Sequence, residues 1–224
     1  MKRIGIIGGT TPESTMYYYR NFVEISRKRF EKNFYPEIVI FSLNFKKFRE
    51  LPDWRKKKEY IMEGIRALEN AGAEIIALSA NTPHIIFPEL QKESRVKMVS
   101  IIDAVAEEAK RRNLRKLLLL GTKITMTSEF YILGLINHGL EVLVPNSREI
   151  DEVDRVIFEE LSFGNTKSKG YLVELIESYR GEIDAAILGC TELPIALHEG
   201  DTSVPLLDTA RIHVNAIINE ALKP

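Results

Sequence analysis

A strand closed by glycine and threonine opens this chain and returns near its middle. Arg3 to Ile7 is a short apolar run that ends in Gly8-Gly9-Thr10 and passes into a series of Ser, Thr and Tyr; Lys116 to Leu120 ends in Gly121-Thr122 and is followed by Thr125, Thr127, Phe130 and Tyr131. Later segments recur in the same order. Ile38 to Leu43 is matched by Glu141 to Val144, Glu74 to Ser79 by Asp184 to Gly189, and Val96 to Ile101 by Val204 to Asp208. A repeat of βα units on this scale restricts the fold to α/β with two similar parallel-sheet domains related by internal duplication, each sheet covered by helices. The crossovers fall near 98 and 206, so residues 1–98 plus 207–224 form the first domain and 99–206 the second. The last helix, Thr209 to Leu222, has no second-half partner and is free to return to the first. A chain of 224 residues, 45% of them hydrophobic, suffices for two modest cores.

Between these strands the punctuation is informative. Gly8-Gly9 at a strand-to-helix turn lets backbone amides approach an anion or simply makes the turn tight. No Gly-Lys-Ser/Thr follows, and the dinucleotide spacing is missing, which argues against a nucleotide cofactor. Phe45 to Trp54 reads as a loop, in which Arg49 is either a fork for a substrate carboxylate or a solvated surface charge. Trp54 to Ala71 reads as a helix with Ile61, Ile65 and Leu68 on one face, stopped by Gly72. With 31 basic and 32 acidic residues there is no single-sign field for nucleic acid or an anionic membrane. No apolar run approaches a membrane span and no signal-peptide pattern is present, so a cytoplasmic location is expected. The four histidines show no metal-ligand spacing with the single cysteine.

That cysteine stands at a telling place. Asp184 to Gly189 reads as a buried strand, and Cys190 follows it directly, at the edge where open parallel sheets place their chemistry. Buried free cysteines are usually small core hydrophobes. A thiol at a strand end beside a helix start instead has the setting that lowers its pKa. Laying Ala77 to Thr82 over Ile187 to Glu192 puts Ala80 at the mirror position of Cys190. Two such strand ends are expected to face one interdomain cleft, a usual place for a small ligand.

The ordered segments GIIGGTTPEST, LSANTPH, LLGTKITMTSEFY, IFEELSFGN, LGCTELP and PLLDTARIH, from Ile4 to the last helix, resemble the aspartate/glutamate racemase family of cofactor-independent racemases. The resemblance implies two thiols, one from each half, on opposite faces of the substrate α-carbon. One thiolate removes the α-proton and the other thiol returns a proton from the far side. Cys190 matches the second family cysteine, whereas the first position, directly before Asn-Thr, is Ala80, and a methyl group carries no proton. Ser79 points to the opposite face of its strand. Water or His84 is the better substitute, although a plain structural histidine is the commoner outcome.

The same resemblance places the amino acid's carboxylate and ammonium among Gly9, Thr10, Asn81, Thr82, Thr122, Thr125 and Thr191, and cations for carboxylates at Arg49 and Lys167. Lys167 is one more solvated lysine on the plainer reading, with Lys169 as its competitor. Glu192 holds the ammonium, orients Cys190 or caps the next helix. Asp103, Asp208 and His213 read as caps and packing. The implied protein is a racemase of aspartate or glutamate, needing no cofactor or metal, whose partners are a small amino acid and a second copy of itself in a homodimer. A one-cysteine proton-transfer enzyme of the arylmalonate decarboxylase kind and a catalytically degenerate amino-acid binder are the alternatives.

Overall fold

Strands that are apolar along their whole length need helices on both faces of their sheet. The computed structural model describes residues 1–224 and contains two such sheets, each of four parallel strands. The first comprises β1 (Ile4–Gly8), β2 (Ile38–Ser42), β3 (Ile75–Leu78) and β4 (Lys97–Val99), in the spatial order β2-β1-β3-β4. The second comprises β5 (Lys116–Leu120), β6 (Glu141–Leu143), β7 (Ala185–Leu188) and β8 (Leu206–Asp208), in the order β6-β5-β7-β8. The duplication is therefore visible in topology. The inner strands β1, β3 and β7 are buried at every residue and β5 at all but its first, while the edge strands β2 and β6 are partly exposed.

The helices are α1 (Pro12–Arg29), α2 (Phe45–Glu50), α3 (Trp54–Asn70), α4 (Phe87–Glu93), α5 (Ile101–Arg111), α6 (Lys123–Thr127), α7 (Glu129–Asn137), α8 (Ser147–Arg155), α9 (Lys169–Ser178), α10 (Leu193–Ala196) and α11 (Thr209–Leu222). Their starts are chemically marked. Thr11 caps α1 by accepting from the Ser14 amide at 3.2 Å, with Pro12 in the first turn; Asp53 caps α3 by accepting from the Lys56 amide at 2.8 Å. Asn146 and Glu149 close a reciprocal capping box on α8. Ile61, Met62, Ile65 and Leu68 bury one face of α3 in the first core, and Gly72, at φ +82°, ends the turn that follows it. Full burial of each such side chain contributes about 1.5–3 kcal/mol.

Residues 1–101 with 213–224 form one compact unit and 102–212 the other. The divisions lie a few residues beyond the expected crossovers at 98 and 206, and α11 from His213 onward belongs to the first unit. Phe45 to Glu50, expected as loop, is helical: Asn44 caps it by accepting from the Lys47 amide at 2.9 Å, and Phe48 is buried in the first core. One buried aromatic and one cap suffice for a single turn and a half that is too short to show a hydrophobic period.

Candidate functional site

Equivalent pairing brings equivalent residues to the two strand ends. In the first unit Ile7 pairs with Leu78, and the Ser79 amide donates to the Ile7 carbonyl at 2.9 Å. In the second Leu120 pairs with Leu188, and the Gly189 amide donates to the Leu120 carbonyl at 2.6 Å. Ala80 and Cys190 thus each stand two residues beyond the end of the corresponding strand. At Gly189 a Cβ would come within 2.7 Å of the Leu120 carbonyl oxygen, so the close approach of β7 to β5 requires glycine before the cysteine.

Cys190 is half-buried, and its thiol donates to Glu192 Oε2 at 2.8 Å. The Thr191 hydroxyl donates to the same oxygen at 2.9 Å. Glu192 occupies the N-cap position of α10 but makes no side-chain cap bond; its buried carboxylate turns back to the thiol instead. Of its three expected roles, the orienting of Cys190 is the one the geometry carries. The consequence for acidity reverses the sequence expectation. Burial first, and then the negative charge and hydrogen bond of Glu192, push the Cys190 thiol well above its ordinary pKa. Helix-start amides do act in the lowering direction but are outweighed. Replacing Glu192 by Gln therefore speeds alkylation of Cys190 at a given pH, with the remaining elevation due to burial. Rates of iodoacetamide labelling measured against pH check this, and an unmoved midpoint would remove the carboxylate from control of the thiol.

Thr122 and Thr125 lie at the neighbouring end of β5. Thr122 caps α6, its hydroxyl 3.1 Å from that of Thr125, and Thr125 is fully buried with its methyl packed toward Gly121 and Gly189. Cys190, Thr191, Glu192, Thr122 and Thr125 are thus gathered at one sheet edge of the second unit.

At the corresponding edge of the first unit, Gly9 adopts φ +78°, and a Cβ there would come within 2.2 Å of the Leu43 carbonyl oxygen. Its amide donates to the Thr15 hydroxyl at 2.8 Å, so this N–H is already engaged within the loop. The Thr10 hydroxyl beside it is shielded from solvent and has no hydrogen-bond partner. A buried polar atom left in that state costs about 1–3 kcal/mol and points to a group that arrives with a ligand. Asn81 is buried and Thr82 half-buried, at the start of the 3₁₀ turn Thr82–Ile86 that follows β3. Ser79 is committed to the fold: its hydroxyl donates to the Ile7 carbonyl at 3.2 Å, and its own carbonyl accepts from the Ser14 hydroxyl.

His84 is the main correction among the candidate acid/base groups. Its Nδ1–H donates to the Ala80 carbonyl at 2.9 Å, and its Nε2 accepts from the Ile101 amide at 3.0 Å. The ring is buried and stacks on Phe87, with centroids 5.1 Å apart. Both nitrogens are spent on backbone, which leaves neither to pass a proton to a ligand. His213 is likewise structural, between the Tyr18 hydroxyl and the Val99 carbonyl, each at 2.9 Å. Burial, then the neighbouring His213, push the His84 pKa down to about 3. The unfolded chain, with His84 near its ordinary 6.5, takes up a proton that the folded chain refuses. Stability from this residue is complete above that value and falls by about 1.4 kcal/mol per pH unit as pH drops toward 3. Urea unfolding of wild type and His84→Gln between neutral and acidic pH is expected to show the steeper decline in wild type. Parallel declines would mean that folded His84 accepts the proton.

The two candidate cations are both exposed. Arg49 is exposed on α2, its guanidinium 5.6 Å from the Phe45 ring centroid. Lys167 is exposed in the turn before α9, where its amide donates to Asn165 Oδ1 at 3.0 Å. Its competitor Lys169 is committed to Asp201 at 2.8 Å, which leaves Lys167 the available ammonium of the pair. Glu160, described below, was invisible as a functional candidate because nothing in its local pattern marks the helical irregularity on which it sits.

Two parallel α/β units of like topology, one carrying a thiol–carboxylate pair at its sheet edge, define a class of doubled α/β enzymes. The model of the Asp/Glu/hydantoin racemase family matches residues 7–217. The chain belongs to this family and is a racemase-class enzyme. It is similar to an aspartate racemase homologue from Pyrococcus horikoshii OT3, with a TM-score of 0.94, 57% identity and 100% of both chains covered. The aspartate racemase of Picrophilus torridus gives a TM-score of 0.79 at 26% identity, over 100% of this chain and 96% of that one. The broad specificity amino-acid racemase RacX of Bacillus subtilis (strain 168) is 26% identical over 213 residues, 92% of each chain. No helix is long and apolar enough to cross a membrane.

Proposed function

We propose that the chain is a cofactor-independent racemase-type enzyme of aspartate or glutamate in which Cys190 is the only thiol acid/base. The observation that carries this reading is the hydrogen bond from Cys190 to Glu192 at the end of β7. Glu192 orients the thiol; Cys190 first gives its own proton to water, and the thiolate so formed takes the proton from the substrate α-carbon. The electron pair left behind delocalises into the substrate's α-carboxylate. Return of the proton by Cys190 restores the starting enantiomer; delivery of a proton by water from the far face inverts the centre, and the proton that Cys190 first released to solvent makes good the one water gives, so the site ends with a protonated thiol and no net change in protons. Ala80 has no proton to give, so the reading assigns the second face to water, and it requires the strand ends of both units to serve one substrate.

The short hydroxyls and amides of Gly9, Thr10, Asn81, Thr82, Thr122, Thr125 and Thr191 are assigned to the zwitterion, because such groups donate and accept without adding charge. Thr10, with its unpartnered hydroxyl, is the strongest of these. Lys167, with Arg49, is assigned to the second carboxylate. A cytoplasmic homodimer closed by two-fold symmetry is the proposed working form. Protection of Cys190 from alkylation tests the assignment: aspartate or glutamate should slow labelling at concentrations where alanine and leucine do not. Equal labelling with and without all four would separate Cys190 from amino-acid binding.

A further inference from the structure

The stretch between α8 and α9 departs from regular helix at one buried acid. Helix α8 runs into a π-helical turn, Val156–Glu160, and then a 3₁₀ turn, Leu161–Phe163, closed by Gly164 at φ +73°. A π turn inside a helix often marks a functional position, because the extra residue rotates the side chain at its end out of the regular register. Here that side chain is Glu160, which is buried although charged. Its carboxylate accepts from the Ser168 hydroxyl at 2.9 Å, from the Ser168 amide at 3.1 Å and from the Arg155 guanidinium at 2.9 Å. Its backbone carbonyl accepts from the Asn165 amide at 3.0 Å. One residue therefore holds the arch 161–168 at its middle through the carbonyl and at its far foot through the carboxylate.

Between those feet the side chains are unanchored to the core. Phe163 is 82% exposed, and Asn165, Thr166 and Lys167 are exposed as well. The near foot is tied to the proposed site: the 3₁₀ turn packs against α10, the helix that begins directly after Cys190-Thr191-Glu192, and Leu161 shares a core with Leu193 and Ala196. At the far foot Ser168, at the N-cap position of α9, makes no cap bond and spends its hydroxyl on Glu160, and the next residue, Lys169, is paired with Asp201 at 2.8 Å.

We propose that Glu160 is a positioning residue whose carboxylate latches the Lys167 arch at Ser168 and so fixes where the Lys167 ammonium is presented to a substrate's second carboxylate. The latch itself is a property of the free protein; its effect on substrate rests on the functional reading above. Glu160→Gln keeps the size of the side chain but removes the charge that pairs with Arg155 and the second acceptor oxygen that Ser168 uses. Ser168→Ala removes one bond and leaves the ion pair with Arg155.

Hydrogen–deuterium exchange of the ligand-free proteins decides the latch. Amides of 161–168 should exchange roughly tenfold faster in Glu160→Gln and to a smaller extent in Ser168→Ala, with the β5 and β7 peptides unchanged. Unchanged exchange in the arch overturns the proposal, and so does acceleration spread evenly over the second unit, which would make Glu160 a general stabiliser. Kinetics of α-proton exchange then read the positioning. KM for aspartate or glutamate should rise about fivefold in Glu160→Gln with kcat within twofold, and Lys167→Ala combined with Glu160→Gln should be no worse than Lys167→Ala alone. Additive losses in that pair overturn the link to Lys167. If wild type exchanges none of these amino acids while the arch loosens as described, the latch stands and the substrate assignment is what fails.

Discussion

Cys190→Ala loses α-proton exchange of aspartate and glutamate by about three powers of ten or more, the usual cost of removing a positioned acid/base group. The effect is at the upper end here because the chain has no second thiol to sustain a partial reaction. The hydroxyls next in sequence to positions 190 and 80 are otherwise employed: Thr191 donates to Glu192, and Ser79 is bonded to Ile7. The substitution removes one half-buried sulfur at the rim of a core of Leu, Ile and Val side chains, so folding should survive, as circular dichroism will report. Cys190→Ser is expected to be nearly as inactive, because a hydroxyl in the same buried place beside Glu192 is a far weaker acid than a thiol. Exchange rates followed by proton NMR in deuterated water check both variants. Retention of more than about a tenth of the wild-type rate in Cys190→Ala would move the acid/base role elsewhere.

Ala80→Cys is expected to act in the opposite direction. Position 80 is the register equivalent of position 190, and it is half-buried like its counterpart, so one added sulfur does not have to be forced into a closed core. A thiol there supplies the proton carrier that the proposed mechanism lacks on the second face. Inversion should rise by about a hundredfold, the scale of a restored general acid. Exchange should also become comparable from both enantiomers. Chiral chromatography of timed reactions measures this. If the new cysteine is alkylated readily yet inversion stays at the wild-type rate, position 80 does not address the substrate's second face.

Much of this framework was legible in the chain because duplication is legible. The repeated strand-Gly-Thr opening predicted two parallel sheets, and the paired topologies realise it strand by strand. Equating Ala80 with Cys190 needed only the segments around them, since a parallel register carries strand ends along with strands. Side-chain commitments were less legible. The thiol was expected to be acidic from its place before a helix, but burial, and after it the carboxylate two residues later that α10 leaves uncapped, reverse that; the sequence offered three roles for Glu192 without choosing between them. His84 stayed a candidate beside its commoner structural reading because nothing local reveals that Ile101, seventeen residues on, donates to its second nitrogen. The Gly9 loop suited an anion as well as a tight turn, yet its amide is bonded to Thr15, six residues on in the first turn of α1. Helix α2 was hidden by its brevity, and Glu160 by a π turn that has no compositional sign. In each case the backbone pattern showed in the sequence and the direction a side chain takes did not.

The central claim is that a single thiol, Cys190, works one face of the α-carbon. The direct measurement incubates L- and D-aspartate and L- and D-glutamate with wild-type protein in deuterated water, follows the α-proton by NMR, and assays the same tubes for handedness. The account predicts that one enantiomer of one of these amino acids loses its α-proton clearly faster than product of opposite hand appears. Exchange and inversion at equal rates from both enantiomers would show a second proton carrier as good as a thiol and contradict a one-sided site; no exchange from any of the four would contradict the substrate assignment.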